Sequence, residues 1–160
     1  TLQELGCELE IAFITNLTIL NDEIIAFSKE QNISYGVSLD GLEMHHDTVR
    51  KFKSGAGTFD VIDTNLRKLL AHNIPVSTNT VVTNGNLEGL PELTRSLIDL
   101  DIPFRYSIVR GEAIDAELLE RCLLKSYAVM EEAIQTGWQF SRRHQFCDLK
   151  TNEGKMLYHF

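Results

Sequence analysis

Four short runs of β-branched and aromatic residues punctuate the chain: Leu9 to Thr15, Ile33 to Ser38, Val76 to Val82 and Phe104 to Val109. Each lies between turn-forming residues, which is the pattern of strands. Helical periodicity fills the intervals. Asn21-Asp22 caps a first helix with Ile24, Ile25 and Phe27. Thr58 caps a second, whose Phe59, Ile62, Leu66, Leu69 and Leu70 recur at helical spacing. Asn86 starts a third through Leu87, Leu90, Leu93 and Leu97, with Gly89 and Pro91 weakening its first turn. Asp115 opens the longest, a broad apolar stripe from Leu118 to Ile134. Such a stripe reads as core, and Cys122 within it as a small apolar filler.

Strand and helix alternate, so the expected class is α/β, four βα units on a parallel sheet with right-handed crossovers. Two architectures satisfy this, a doubly wound sheet and part of a (β/α) barrel. Four strands cannot close a barrel. Outer strands then keep unpaired backbone groups, and self-association through uncovered sheet edges is expected.

Composition adds exclusions. The 160 residues suit one domain, and 43% hydrophobic with 24% charged residues is ordinary for a globular chain. The net charge of -8, from 23 acidic and 15 basic residues, argues against a nucleic-acid partner. No apolar run reaches the roughly 18 residues a membrane span needs, and the expected location is cytoplasmic. Cys7, Cys122 and Cys147 are scattered and odd in number, which argues against a disulfide framework.

Chemistry belongs at the carboxyl ends of the strands in either architecture. Those ends carry Thr15-Asn16, Ser38-Leu39-Asp40, Thr80 to Asn84 and Ser107 to Arg110. Ser38 and Asp40 share one face of an extended segment, and Gly41 allows a tight turn beyond them. Arg50 follows in the loop that returns over the strand ends. A guanidinium beside a hydroxyl suits a carboxylate. The same residues fit a plainer reading, with Asp40 bonding its own turn and Arg50 pairing with Asp47 on the surface. His45-His46-Asp47 lacks a third ligand at metal-site spacing, so one histidine is expected to pack within the loop. Gly55-Ala56-Gly57 lacks the lysine and spacing of a phosphate-binding loop and reads as a hinge.

The stretch "SLDGLEMHHDTVRKFKSGAGTFDVI" resembles the Ser-x-Asp-Gly … His-Asp … Arg … Gly-Thr-Phe segment of radical S-adenosylmethionine enzymes. The similarity points to the peptide-modifying maturases with a C-terminal SPASM domain, such as the anaerobic sulfatase-maturating enzymes. "ITNLTILNDEIIAFSKEQNISYGVSLDG" and "NIPVSTNTVVTNGNLEGLPEL" are similar to the flanking parts of that family, so the resemblance spans about residues 9 to 110. It implies a (β/α)6 partial barrel. It also implies that Ser38 and Arg50 hold the methionine part of S-adenosylmethionine, with Thr15, Asn16 and Asp40 near the cofactor. Leu17 stands where the family usually has glycine.

The family's Cys-x3-Cys-x2-Cys loop, ligand of the [4Fe-4S] cluster, does not occur in these residues. The chain is therefore expected to be a piece of a longer enzyme, inactive alone and without a tightly bound cofactor. Residues 1–140 would be partial barrel and 141–160 a linker towards an auxiliary-cluster domain, with Cys147 as a candidate ligand there. The parent's partner would be a peptide or protein whose side chain loses hydrogen to a 5′-deoxyadenosyl radical. Two rival readings are a non-catalytic half-barrel that binds a partner, and a cluster-independent (β/α) enzyme using Asp40 as acid or base.

Overall fold

Parallel pairing joins the four strands in chain order, and that order decides between the two architectures. The computed structural model describes residues 10–138. Its elements are β1 (Ile11–Thr15), α1 (Asp22–Glu30), β2 (Ile33–Ser38), α2 (Glu43–Val49), α3 (Phe59–Ala71), β3 (Val76–Val82), α4 (Leu90–Asp99), β4 (Phe104–Ile108) and α5 (Ala116–Gln135). The sheet order β1-β2-β3-β4 never reverses. A doubly wound sheet reverses at a switch point, so this is the singly wound path of a barrel.

Successive right-handed crossovers in one direction leave every helix on the same side of the sheet. The burial pattern follows. Ile33, Tyr35 and Val37 of β2, and Val76, Thr78, Thr80 and Val82 of β3, are buried, while the residues between them are half-exposed. Ile33, Tyr35, Val37 and Val76 pack with Ile62, Leu66 and Leu69 of α3 and with Leu93 and Leu97 of α4. Val82, Leu87, Leu90 and Cys122 form a smaller cluster beside α5. Cys122 is the apolar filler the stripe implied. The opposite face presents Ser34, Gly36 and Ser38 from β2, Ser77, Asn79 and Val81 from β3, and Arg105 and Ser107 from β4. It carries no helix among the described residues.

Local sequence explains most element boundaries. Asn21 Oδ1 accepts the Ile24 N–H at 2.8 Å and starts α1, and Asp115 Oδ1 accepts the Leu118 N–H at 2.9 Å and starts α5. Two expectations fail for a common reason. Thr58 occupies the position before α3 but does not cap it, and Asn86 precedes only a 3-10 turn (Leu87–Gly89) before α4 begins at Leu90. Both side chains are committed to tertiary hydrogen bonds instead. The loop expected around His45-His46-Asp47 is in fact the short helix α2. Gly55-Ala56-Gly57 belongs to a hydrogen-bonded reverse turn, closed by Phe52 N–H on Ala56 O at 2.8 Å and Gly55 N–H on Phe52 O at 2.9 Å. The expected linker at 141–160, Cys147 and the Leu9 start of β1 lie outside the described residues.

Candidate functional site

β2 delivers Ser38 to its carboxyl end and the chain then turns sharply. Gly41 makes the turn possible: its φ is +151°, and a Cβ there would stand 2.6 Å from the His45 Cβ. The turn leads into α2, which carries His46 inward and returns Arg50 over the strand end.

Asp40 is the centre of the arrangement, with only 4% of its surface exposed. Its Oδ2 accepts the Arg50 Nε–H at 2.5 Å, and its Oδ1 accepts the Val81 N–H of β3 at 2.8 Å. The plainer reading therefore needs correcting on both counts. Arg50 pairs with Asp40 rather than Asp47, and Asp40 reaches a neighbouring strand rather than only its own turn. Asp47 does other work: its Oδ1 accepts the N–H groups of Thr58 and Phe59 at 2.8 and 3.0 Å, capping α3.

His46 is fully buried, and its tautomer follows from its partners. The Asp40 N–H donates to Nδ1 at 3.1 Å, so that nitrogen is the acceptor. Nε2 then carries the proton and donates to Thr58 Oγ1 at 3.0 Å, while Thr58 passes its own proton to Arg50 O at 3.1 Å. Burial is the main reason the imidazole pKa falls below its ordinary 6.5; Arg50 adds to the fall, and Asp40 and Asp47 oppose it. Neutral His46 is a strut between two loops. Among the described residues no three His, Cys, Asp or Glu side chains converge as a metal site would require.

Asn86, which pattern reading placed only as a helix start, is a second strut. Its Nδ2 donates to Asp40 O at 2.9 Å and Val81 O at 2.8 Å, and its Oδ1 accepts the Thr83 N–H at 2.8 Å. Nothing in the local sequence reveals this, because the partners lie 46 and 5 residues away.

Thr15 and Asn16 shape the end of β1. Thr15 pairs in register with buried Val37, which puts it on the helix-covered side, and its Oγ1 accepts the Leu17 N–H at 3.0 Å. Asn16 Oδ1 accepts from the Thr18 N–H at 3.2 Å and from its hydroxyl at 3.0 Å. Among the described residues no hydrogen bond links either to Ser38, Asp40 or Arg50. Leu17 adopts φ +54°, the left-handed region glycine favours, yet it is 1% exposed and its carbonyl accepts from Asn65 Nδ2 at 3.0 Å.

Two sets of donors stay available at this strand end. The Ser38 hydroxyl has no partner among the described residues, and Arg50 commits only its Nε, keeping its two terminal nitrogens. A guanidinium held by a buried carboxylate keeps the planar donor fork that suits a small planar anion.

No family model matches the chain. It is 40% identical over 94 residues to an uncharacterised protein of Methanocaldococcus jannaschii, covering 58% of this chain and 32% of that protein. It is 30% identical over 90 residues to a cysteine-type anaerobic sulfatase-maturating enzyme of Clostridium novyi, covering 56% of this chain and 24% of the enzyme. The chain thus spans a third or less of these relatives. In fold it matches native anSMEcpe with bound AdoMet and Cp18Cys peptide, with a TM-score of 0.76 and 16% identity over 86% of this chain and 41% of that one. In sequence this chain is thus similar to part of the anaerobic sulfatase-maturating enzymes, and in fold it matches part of one of them.

Proposed function

We propose that this chain is part of the barrel of a radical S-adenosylmethionine maturase, and that Ser38 and Arg50 receive the carboxylate of S-adenosylmethionine. The observation that carries the reading is the Asp40–Arg50 pair. With Nε held at 2.5 Å by a buried carboxylate, the guanidinium offers its remaining donors at the end of β2, where Ser38 offers a hydroxyl. The fit to an amino-acid carboxylate rests on a hydroxyl that can donate and two free guanidinium nitrogens at one strand end, with the guanidinium held through Nε by the buried Asp40.

Bound S-adenosylmethionine supplies hydrogen abstraction in this enzyme class once an iron–sulfur cluster reduces it. The described residues do not fit such a cluster, since the cysteine among them, Cys122, is buried in an apolar group. Their part is to bind and orient. Asn16 at the end of β1 is proposed to border the cofactor, Thr15 to set the turn that positions it, and Asp40 to hold Arg50. Both Asp40 oxygens accept hydrogen bonds, which supports a holding role over acid–base work. Cys147 as an auxiliary-cluster ligand, and 141–160 as a linker towards that domain, belong to the same proposal. A structural neighbour holds a peptide, and a peptide or protein is the proposed substrate of the whole enzyme.

Nitrogen-resolved NMR of the 160-residue chain tests the clamp. S-Adenosylmethionine is expected to shift the Arg50 Nε–H signal, whereas 5′-methylthioadenosine, which lacks the carboxylate, leaves it in place. Arg50→Gln and Ser38→Ala should each weaken S-adenosylmethionine binding about tenfold, as loss of a charge-assisted hydrogen bond does. Equal shifts from both compounds, or unchanged binding in Arg50→Gln, would leave the non-catalytic half-barrel as the better reading.

A further inference from the structure

The open face of the sheet carries donors that the cofactor clamp leaves unused. Ser38 pairs in register with Asn79, and Asn79 with Arg105, so the three stand in one row across β2, β3 and β4. Strands lie about 4.8 Å apart, so the row runs about 10 Å from Ser38 to Arg105. Asn79 Oδ1 accepts from Arg105 Nε at 3.3 Å and from Ser107 Oγ at 3.0 Å. Those two donors determine how the amide is turned, with its oxygen consumed and its NH2 group presented. No described residue accepts from that NH2 group or pairs with the terminal nitrogens of Arg105. The row displays the Asn79 NH2 group, the Arg105 terminal nitrogens and the Ser38 hydroxyl, which can itself donate.

Charge points the same way. The chain holds 23 acidic residues against 15 basic ones, yet Ser34, Gly36, Ser77 and Val81 around the row are uncharged. The carboxylate at this end of the sheet, Asp40, is already engaged by Arg50. Arg105 is therefore an exposed cation among uncharged neighbours on β2 and β3, with its Nε on Asn79 and its terminal nitrogens open to a bidentate guest.

We infer that Arg105 and Asn79 form a second carboxylate subsite, beside the cofactor clamp, for an acidic group of the substrate peptide. The inference rests on the reading of this chain as part of a peptide-modifying barrel. It goes beyond that reading by naming what the peptide must carry: an acidic side chain or a free carboxyl terminus.

The 160-residue chain, with nitrogen-15 label on its arginine and asparagine side chains, is titrated with three probes. N-Acetyl-glutamate N-methylamide carries a side-chain carboxylate, N-acetyl-glycyl-glycine a terminal one, and N-acetyl-glutamine N-methylamide neither. At least one carboxylate probe should shift the Arg105 Nε–H and Asn79 NH2 signals, and the glutamine probe should bind about tenfold more weakly. The tighter of the two carboxylate probes names the source. Arg105→Gln, checked for an unchanged backbone spectrum, should remove the preference. Equal affinity for the neutral probe, no binding of either carboxylate probe, or shifts confined to Arg50 overturns the inference. The probes contain no adenosine, so their failure leaves the S-adenosylmethionine titration at Arg50 to stand or fall separately.

Discussion

Asp40 and Arg50 meet through one hydrogen bond of 2.5 Å from Nε to Oδ2, while the other Asp40 oxygen takes the Val81 N–H at 2.8 Å. One carboxylate thus ties the loop after α2 to the middle of the sheet. Asp40→Asn can keep the Val81 bond through its oxygen but turns an NH2 group towards the Arg50 Nε–H, losing both the charge and that hydrogen bond, at about 2 kcal/mol. Asp40→Ala leaves both a strand N–H and a guanidinium without their acceptor, at about 3 kcal/mol. Urea unfolding should rank the variants in that order, and Arg50-dependent ligand binding should fall in both.

Neutral His46 makes the fold sensitive to acid. Its folded pKa lies below the ordinary 6.5 because of burial, so between the two values the unfolded chain binds more protons than the folded one. Stability from this group is therefore fully present above pH 6.5 and declines as pH falls through the folded value. The urea midpoint of the parent chain should drop from pH 7.5 to pH 5 by more than that of His46→Gln. An equal drop in both would assign the acid sensitivity elsewhere.

Leu17 pits backbone against burial. Replacement by glycine relieves a left-handed residue at φ +54°, a gain of about 1 kcal/mol. It also exposes the site of a side chain that is 1% exposed, a loss of about 2–3 kcal/mol. Leu17→Gly should destabilise by about 1–2 kcal/mol in net, read by thermal or urea unfolding. A stabilised variant would mean that the backbone conformation governs here.

Asp47 and Gly57 act as one device. A Cβ on Gly57 would stand 1.9 Å from Asp47 Oδ2, so Gly57→Ala displaces the carboxylate that caps α3. Asp47→Ala should cost about 1 kcal/mol, as loss of a cap does. Because both changes remove the same hydrogen bonds, the double variant should cost well below the sum of the single ones.

Much of this was readable in order along the chain. β2 and β3 run from Ile33 to Ser38 and from Val76 to Val82, as their β-branched runs bounded by turn residues predict, and Asn21 and Asp115 cap their helices as their types require. Periodicity and capping are local, so residues a few positions apart carry the whole signal. The short helix α2 was missed because seven residues with two adjacent histidines give too few turns for a period to show. Thr58 and Asn86 were misjudged as caps because their real partners, Arg50, His46, Asp40 and Val81, come close only when the chain has folded.

By itself the sequence determined the α/β class, the buried faces of α3 and α4 and the presence of Ser38, Asp40 and Arg50 around the end of one strand. Tertiary structure alone decided that the sheet is wound in one direction and that Arg50 leans on Asp40 rather than Asp47. It alone also lined up Ser38, Asn79 and Arg105 across three strands. The division has a physical cause: helix and strand periodicity follow from backbone geometry between near neighbours, whereas partner choice for a buried charge depends on which distant groups remain once the core has closed.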